Sequence, residues 1–549
     1  MRVITLLGGL CVLQMQPLAA DNQKPVPGKQ VDLKGLESTD RIKTFERLAQ
    51  AGDANGAFCL GQALIEGDGV PKDPAAGLRW ITAAAAQEHP SALGYLAWIF
   101  AEGQLVPKNE ARAFELYSRG AAQGDVYSLR SMGWAYRFGK GCAKDPSKAL
   151  HWYEAAAKSG DEEALVALGI LHEYGEGVPK DLKKASEYYY QAANQQNADG
   201  QCRLGWFFLQ GLGVEKKPDL AFHLFSESAG QGWARSEGNL GFMYRYGHFV
   251  TRDLVMARAW FLKSAEHGDV DSQAALASMF EAGEGGVVDL DEARRWYEKA
   301  AASQNSYALM ALGNLLLRSA GPEGAKRAKE LFLEAAELGS NRAYLMLAMW
   351  SMTADKNNPS ALQEARVWAE KGVSAGDPAA KVFLGNLLGH GPDGEVEASR
   401  ARQLLVDAAA QGDALAKWQL GQRLLIEGKT DTKAAAKLFQ EASDLGFPPA
   451  KLQLGICFQL GRGLPKNPKL ALRWIIESAE AGFPEAQFYL SGLYEGGILV
   501  PRNRQKAKEW LEKARAAGYP GARAPMPKGD NSKAKTVVTL ETMIFKSEK

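Results

Sequence analysis

Residues 161–196 read DEEALVALGILHEYGEGVPKDLKKASEYYYQAANQQ. The stretch opens on a run with helical spacing, Ala164, Leu168, Gly169 and His172, whose members share one helix face. A glycine turn follows, Gly175-Glu176-Gly177-Val178-Pro179-Lys180-Asp181, and then a second helical run over residues 185–193. With Gly169 as marker, the plan recurs at Gly61, Ala97, Gly133, Gly205, Gly241, Ala277, Gly313, Ala348, Gly385, Gly421, Gly455 and Ser491. The step is 36 residues seven times running, then 35, 37, 36, 34 and 36. A fixed period of this length marks a solenoid, in which no unit can bury its apolar face alone.

The thirteen copies are numbered here as repeats 1 to 13, with positions counted from the marker. Position −5 is always small, from Gly56 and Ala92 to Ala450 and Ala486, and position −1 is Leu in every copy but Met132. With +3 they form one helix face: the small residues let a partner helix approach, and Leu fills the seam. The second helix carries a small residue, an aromatic and paired alanines, as in Ala149, Trp152-Tyr153 and Ala155-Ala156. On this reading Trp80, Trp152, Trp260, Trp296, Trp368, Trp474 and Trp510 occupy a structural slot.

The Gly-x-Gly turns resemble phosphate cradles, but nucleotide loops follow a strand and these follow helices. Gly67, Gly139, Gly175 and Gly211 instead suit left-handed helix caps. The Asp or Asn after each turn (Asp73, Asn109, Asp145, Asp181, Asp253, Asn467, Asn503) suits the N-cap of the second helix. Pro74, Pro146 and Pro468 then fall in its first turn, where a missing N–H is harmless.

The pattern A-x-x-x-L-G-x-x-[YF]-x-x-G-x-G-V-x-x-D-x-x-x-A-x-x-W-Y-x-x-A-A resembles the Sel1-like repeats, relatives of the tetratricopeptide repeats. The resemblance runs from about Ala51 to Tyr519. It implies an all-α fold, a right-handed α/α superhelical solenoid of about thirteen helix-turn-helix repeats. It also implies an adaptor in assembly, secretion, quality control or signalling, without naming the partner.

Composition narrows the function classes. The 549 residues carry 65 basic and 64 acidic side chains, so no strong net field attracts nucleic acid or an anionic membrane. Seven histidines are scattered without a metal-ligand spacing, and no His-Glu-x-x-His or Gly-x-Ser-x-Gly motif occurs, so neither cofactor nor metal is expected. His172 takes the aromatic place at +3 and reads as packed. Of five cysteines, Cys11 lies in the leader, while Cys59, Cys142, Cys202 and Cys457 fall at different places in their repeats. Some secreted Sel1-like proteins staple each helix pair with a disulfide. That spacing is missing here, and the four read as small buried hydrophobes.

Along the chain, residues 1–20 read as a signal peptide, with Arg2, an apolar run over 3–13 and cleavage after Ala19 or Ala20. The run is about half of the ~20 residues a membrane span needs. Residues 21–40 form a linker and residues 41–52 a capping half-repeat. The solenoid fills residues 53–520, with the family turn lost over 305–446 and restored in repeat 12. Residues 521–549 form a tail, in which residues 536–545 (TVVTLETMIF) are apolar and suited to capping the array or pairing with a partner's sheet edge.

A second aromatic series sits at +1 of the first helix: Trp98, Trp134, Trp206 and Phe242, in repeats 2, 3, 5 and 6. In related tetratricopeptide arrays +1, −3 and +4 line the concave face, and here Arg130, Arg137 and Arg245 occupy −3, +4 and +4. Aromatics beside arginines dominate protein interfaces, so these seven residues are the candidate partner site. The expected function is a non-catalytic periplasmic scaffold for protein partners in an envelope complex. Two rivals are a penicillin-binding or β-lactamase-like Sel1-repeat enzyme and a periplasmic regulator of a membrane sensor. The missing cysteine pairs and activated serine count against the enzyme.

Overall fold

The computed structural model describes residues 38–319, 321–352, 359–389, 394–427 and 431–523. These residues form 27 α-helices and one short 3-10 helix. The leader, most of the linker, and the tail from residue 524 on, with residues 536–545, lie outside the described residues. The chain divides into two compact units after Ser303. The division falls where the Gly-x-Gly turns cease to be regular.

The first unit holds repeats 1 to 7, preceded by the helix Ser38–Gln50, which packs on Ala54–Glu66. Within this unit each helix packs on the next along the chain, and first helices of neighbouring repeats also meet, as Glu162–Tyr174 does Ala198–Gln210. Repeat 4 shows why the chain takes this course. Its first helix, Glu162–Tyr174, starts at Asp161, which accepts from the Ala164 N–H, and stops at Gly175 with φ 75°. The Gly175 and Glu176 amides both donate to the Leu171 carbonyl, a Schellman closure. Asp181 then donates to the His172 carbonyl and caps the second helix, Leu182–Asn194, at the Lys184 N–H. Gly67, Gly139 and Gly211 are left-handed caps in the same way. The other six acids and amides assigned above as N-caps all accept from their helices.

The marker is glycine because a ring lies against it. A Cβ at Gly169 would sit 2.4 Å from Tyr189 Cε1, and one at Gly205 would sit 2.8 Å from Phe225 Cε1. The seated ring is thus at +20, where Tyr153, Tyr189, Phe225 and Tyr297 are all but fully buried. This corrects the tryptophan slot. Except for Trp296, the +19 tryptophans are only half-buried, as is Trp368, which stands at +20 in repeat 9, where the second helix is longer. One residue is 100° of helix, enough to turn +19 from the seam to the flank. There Lys263, Lys299, Lys371 and Lys513 lie over the rings of Trp260, Trp296, Trp368 and Trp510. The cysteine expectation is met by Cys202 and Cys457, which are buried, while Cys59 and Cys142 are half-buried.

The second unit holds repeats 8 to 13. Its altered turns at residues 353–358, 390–393 and 428–430 lie outside the described residues. The second helices of repeats 8, 9 and 10 are longer, with 17, 16 and 17 residues against the usual 13, so the period survives the changed turns. Repeat 12 regains the turn, with Gly461 and Gly463 at φ 75° and 73°. After the last helix, Arg504–Ala516, Tyr519 packs on Phe488 at 5.2 Å and Ala522 is fully buried. This short segment covers apolar surface that a terminal repeat would otherwise leave to water.

Candidate partner-binding surface

The three candidate arginines turn out to be ties between consecutive repeats. Arg130 projects from the helix Val126–Phe138 to Asp161, the N-cap of the next first helix, at 2.9 Å. Arg137, one percent exposed, meets Glu176 through Nε and Nη2 at 2.7 and 3.0 Å. Arg245 repeats that geometry in repeat 6, pairing with Glu284 at 2.8 Å and donating to Ser278 Oγ at 3.0 Å. Arg137 and Trp206 are buried in this state and do not face solvent. The physical reason is the charge partner: Glu176 and Glu284 sit in the following turns, each 39 residues on, and draw the guanidinium inward.

The remaining aromatics are half-buried. Trp98 packs on Tyr95 and Trp134 on Phe138, at 5.5 and 5.6 Å. Trp134 Nε1 is enclosed and finds no acceptor among the described residues. The ring borders a cavity of about 50 Å³ shared with Phe114, Tyr117, Glu110 and Lys140. That is well below the roughly 300–1,000 Å³ of small-molecule sites. Phe242 lies 4.7 Å from Tyr246 and stacks on His248 at 5.3 Å, and both of these neighbours are exposed.

Between the two groups of rings runs a polar network that sequence reasoning missed. Arg203 has no exposed side-chain surface, yet it lies 2.9 Å from Asp199 and 4.0 Å from Glu173. Tyr189 Oη donates to Glu173 at 2.6 Å. Burial opposes the charge on Arg203, but Asp199, Tyr189 and Glu173 together outweigh it and raise the guanidinium pKa above its usual value. Asn197 donates to Glu163 at 3.0 Å, joining repeats 4 and 5. Burial raises the Asp161 and Glu163 carboxyls, with Arg130 acting against it in both. Glu237, equally buried, is met by Lys263 and His267 at 2.9 and 2.8 Å. His172 is buried against Tyr188, stacked at 5.6 Å, and burial lowers its pKa.

Two signals in the sequence could have shown the ties. An Arg at +4 is followed, 39 residues later, by Glu at +7 of the next repeat, once in repeat 3 and again in repeat 6. Arg203 gave a weaker hint, being a charge within an otherwise apolar stripe.

Residues 55–340, in eight consecutive segments, and residues 378–519, in four more, match the Sel1 repeat model. The chain belongs to the Sel1 repeat family. Repeat 9, marked by Ala348, lacks a match, although the helices Asn341–Ser351 and Pro359–Ser374 form its pair. Among solved structures, the Sel1 repeat chain is similar to c5321, described as a protective antigen present in uropathogenic Escherichia coli strains and displaying an SLR fold. Identity there is 26%, over 85% of this chain and 90% of that one, with a TM-score of 0.45. A Sel1 repeat protein from Oxalobacter formigenes is 28% identical over 59% of this chain and 98% of that one, with a TM-score of 0.43. Yeast Tom70 is 14% identical over 86% and 96%, with a TM-score of 0.39. No curated protein matches the chain. Sel1 and tetratricopeptide-like repeat proteins typically mediate protein–protein interactions. Among the described residues, no helix is long and apolar enough to cross a membrane.

Proposed function

We propose that this Sel1 repeat protein is a non-catalytic scaffold, exported to the bacterial periplasm, that holds protein partners in an envelope complex. The observation that carries the reading is the aromatic series at +1. Trp98, Trp134 and Phe242 remain half-exposed although every first helix around them is otherwise packed. The arginines act by fixing the repeats that present these rings, and Arg130 and Arg245 keep part of their surface in water. Each partner would cover about 800 Å² of such a surface. Export rests on the apolar run and small-residue exit of residues 1–20.

The test is photo-crosslinking in intact cells from positions 98, 134 and 242, with fractionation of the same cells. The expected result is a discrete crosslinked protein and recovery of the chain in the periplasmic fraction. Crosslinks confined to bulk abundant proteins would remove this surface from consideration, and a cytoplasmic chain would remove the envelope. Steady nitrocefin turnover by the pure protein would replace the scaffold reading with the enzymatic one.

A further inference from the structure

At +8, the second glycine of the turn lies against the preceding repeat. A Cβ at Gly141 would sit 2.1 Å from the Glu110 carbonyl oxygen, and one at Gly285 would sit 2.2 Å from that of Leu254. Repeat 6 has Phe249 at this place, with φ 68°. A bulky residue in the left-handed region is strained, and such strain concentrates at functional positions. The ring is not buried in exchange. It is 60% exposed and touches Phe222 at 5.9 Å. Leu499, with φ 60° in repeat 13, is the contrasting case, since it is half-buried against the terminal core.

Phe249 stands in an apolar edge. Leu220, Val255, Met256, Val287, Val288 and Leu290 are all between 40% and 80% exposed. Repeats 1 to 4 have the opposite character there. Val288 replaces Lys72, Lys108, Lys144 and Lys180, and Met256 replaces Ala76, Arg112, Lys148 and Lys184. The repeat 7 turn rests on Leu254 and Val255 at Gly285, and large apolar side chains left exposed on adjoining turns mark an interaction site.

The charges at the edge select the occupant. Asp253 and Asp289 are engaged as helix caps, and Glu284 is held by Arg245. The Arg258 guanidinium lies over the Phe280 ring at 3.8 Å, and Arg252 donates to the Arg245 carbonyl. Lys216, Arg252 and Arg258 have no carboxylate partner among the described residues, against Asp219 and Asp291 on the acidic side. The chain's own apolar segment is a poor match, because residues 524–549 carry five lysines and three acids, a net +2. We infer that the turn edge of repeats 6 and 7 docks an apolar segment of a partner protein flanked by Asp or Glu, with Phe249 as its anchor. This rests on the scaffold reading and adds a second surface to it.

The test selects a displayed library of random linear peptides against the full-length chain. The expected peptides carry an apolar or aromatic centre between acidic residues. Their affinity should fall at least about tenfold with the pair Val287→Ser and Val288→Ser, and again with Arg252→Glu and Arg258→Glu. Phe249→Gly should weaken binding to a similar degree while raising the melting temperature, because glycine relieves the φ strain. A merely structural Phe249 would move both readouts together. Peptides lacking acidic flanks would overturn the proposal. So would equal binding of a synthetic peptide of residues 536–545 or of phosphatidylserine vesicles. Peptides indifferent to the edge variants but lost with Trp134→Ser and Phe242→Ser would sink this surface and leave the scaffold reading standing. Selection of no peptide at all would count against both.

Discussion

Arg137 and Glu176 lie 39 residues apart in the chain and meet through two hydrogen bonds of 2.7 and 3.0 Å, one from Nε and one from Nη2. The guanidinium is buried and the carboxylate partly open to water. The pair therefore bolts the first helix of repeat 3 to the turn of repeat 4. Removing one member of a buried pair leaves an uncompensated charge, which is worse than removing both. Arg137→Ala should cost about 2–3 kcal/mol, toward the lower side of such losses because Glu176 reaches solvent. The double variant Arg137→Met with Glu176→Gln should recover most of it. Denaturant unfolding measures the cost, and amide exchange should speed up in Val126–Phe138 and Glu162–Tyr174 ahead of other helices.

Gly175 and Gly177 occupy one turn, but replacement should affect them differently. Both have positive φ, 75° and 72°. A Cβ at Gly175 meets only the Lys180 side chain and backbone at 3.3 Å, whereas one at Gly177 meets the Pro146 carbonyl carbon at 2.5 Å. Gly175→Ala should cost about 1 kcal/mol from the left-handed backbone alone. Gly177→Ala adds a clash with the neighbouring repeat and should cost about 3 kcal/mol. Equal losses in thermal unfolding would refute the close approach.

His172 makes stability depend on pH. Its native pKa is lowered by burial, so the unfolded chain takes up a proton first as pH falls below the ordinary value of about 6.5. The contribution is complete above that value and declines as pH drops toward the lowered native one. His172→Phe fills the same aromatic place and should flatten this part of the profile below about pH 6.5. His89 is lowered by burial too, and its Nδ1 accepts from the Ala92 N–H, so some slope should persist in the variant. The check is melting temperature against pH for both proteins.

Asp125 should work in the opposite direction. Its carboxyl caps Val126–Phe138 through the Ser128 N–H and hydroxyl, and burial raises its pKa. The native state then takes up the proton first, which adds stability as pH falls toward the unfolded value of about 3.9. Asp125→Asn keeps a cap and should remove that gain, leaving the variant relatively less stable near pH 4 than near pH 7. A constant difference across that range would sink the assignment.

Thiol accessibility gives a further check. Cys202 and Cys457 are buried, with burial raising their thiols to about 12 and about 11. Cys142 and Cys59 are half-buried. In the native protein Ellman's reagent should label Cys142 and Cys59 first, and Cys202 and Cys457 only on unfolding.

Much of the architecture was legible without coordinates because repeats state the same local physics many times. Leu168, Gly169, Gly175 and Asp181 each answer to a short-range demand: a seam to fill, a ring to admit, a helix to end, a helix to begin. Period and caps therefore determined the helix pairs and their order.

Only the tertiary structure decided which side chains face water. Trp152 and Tyr153 are neighbours of similar chemistry, and the seam accepts the second because only its direction meets Gly133. Arg137 resembles an interface residue until Glu176 arrives from the next repeat and draws it inward. Phe249 looks like another buried aromatic until the left-handed turn aims it outward. Local pattern fixes what one helix pair becomes. Exposure depends on how adjacent pairs are registered, and that is set by contacts between residues some thirty to forty positions apart.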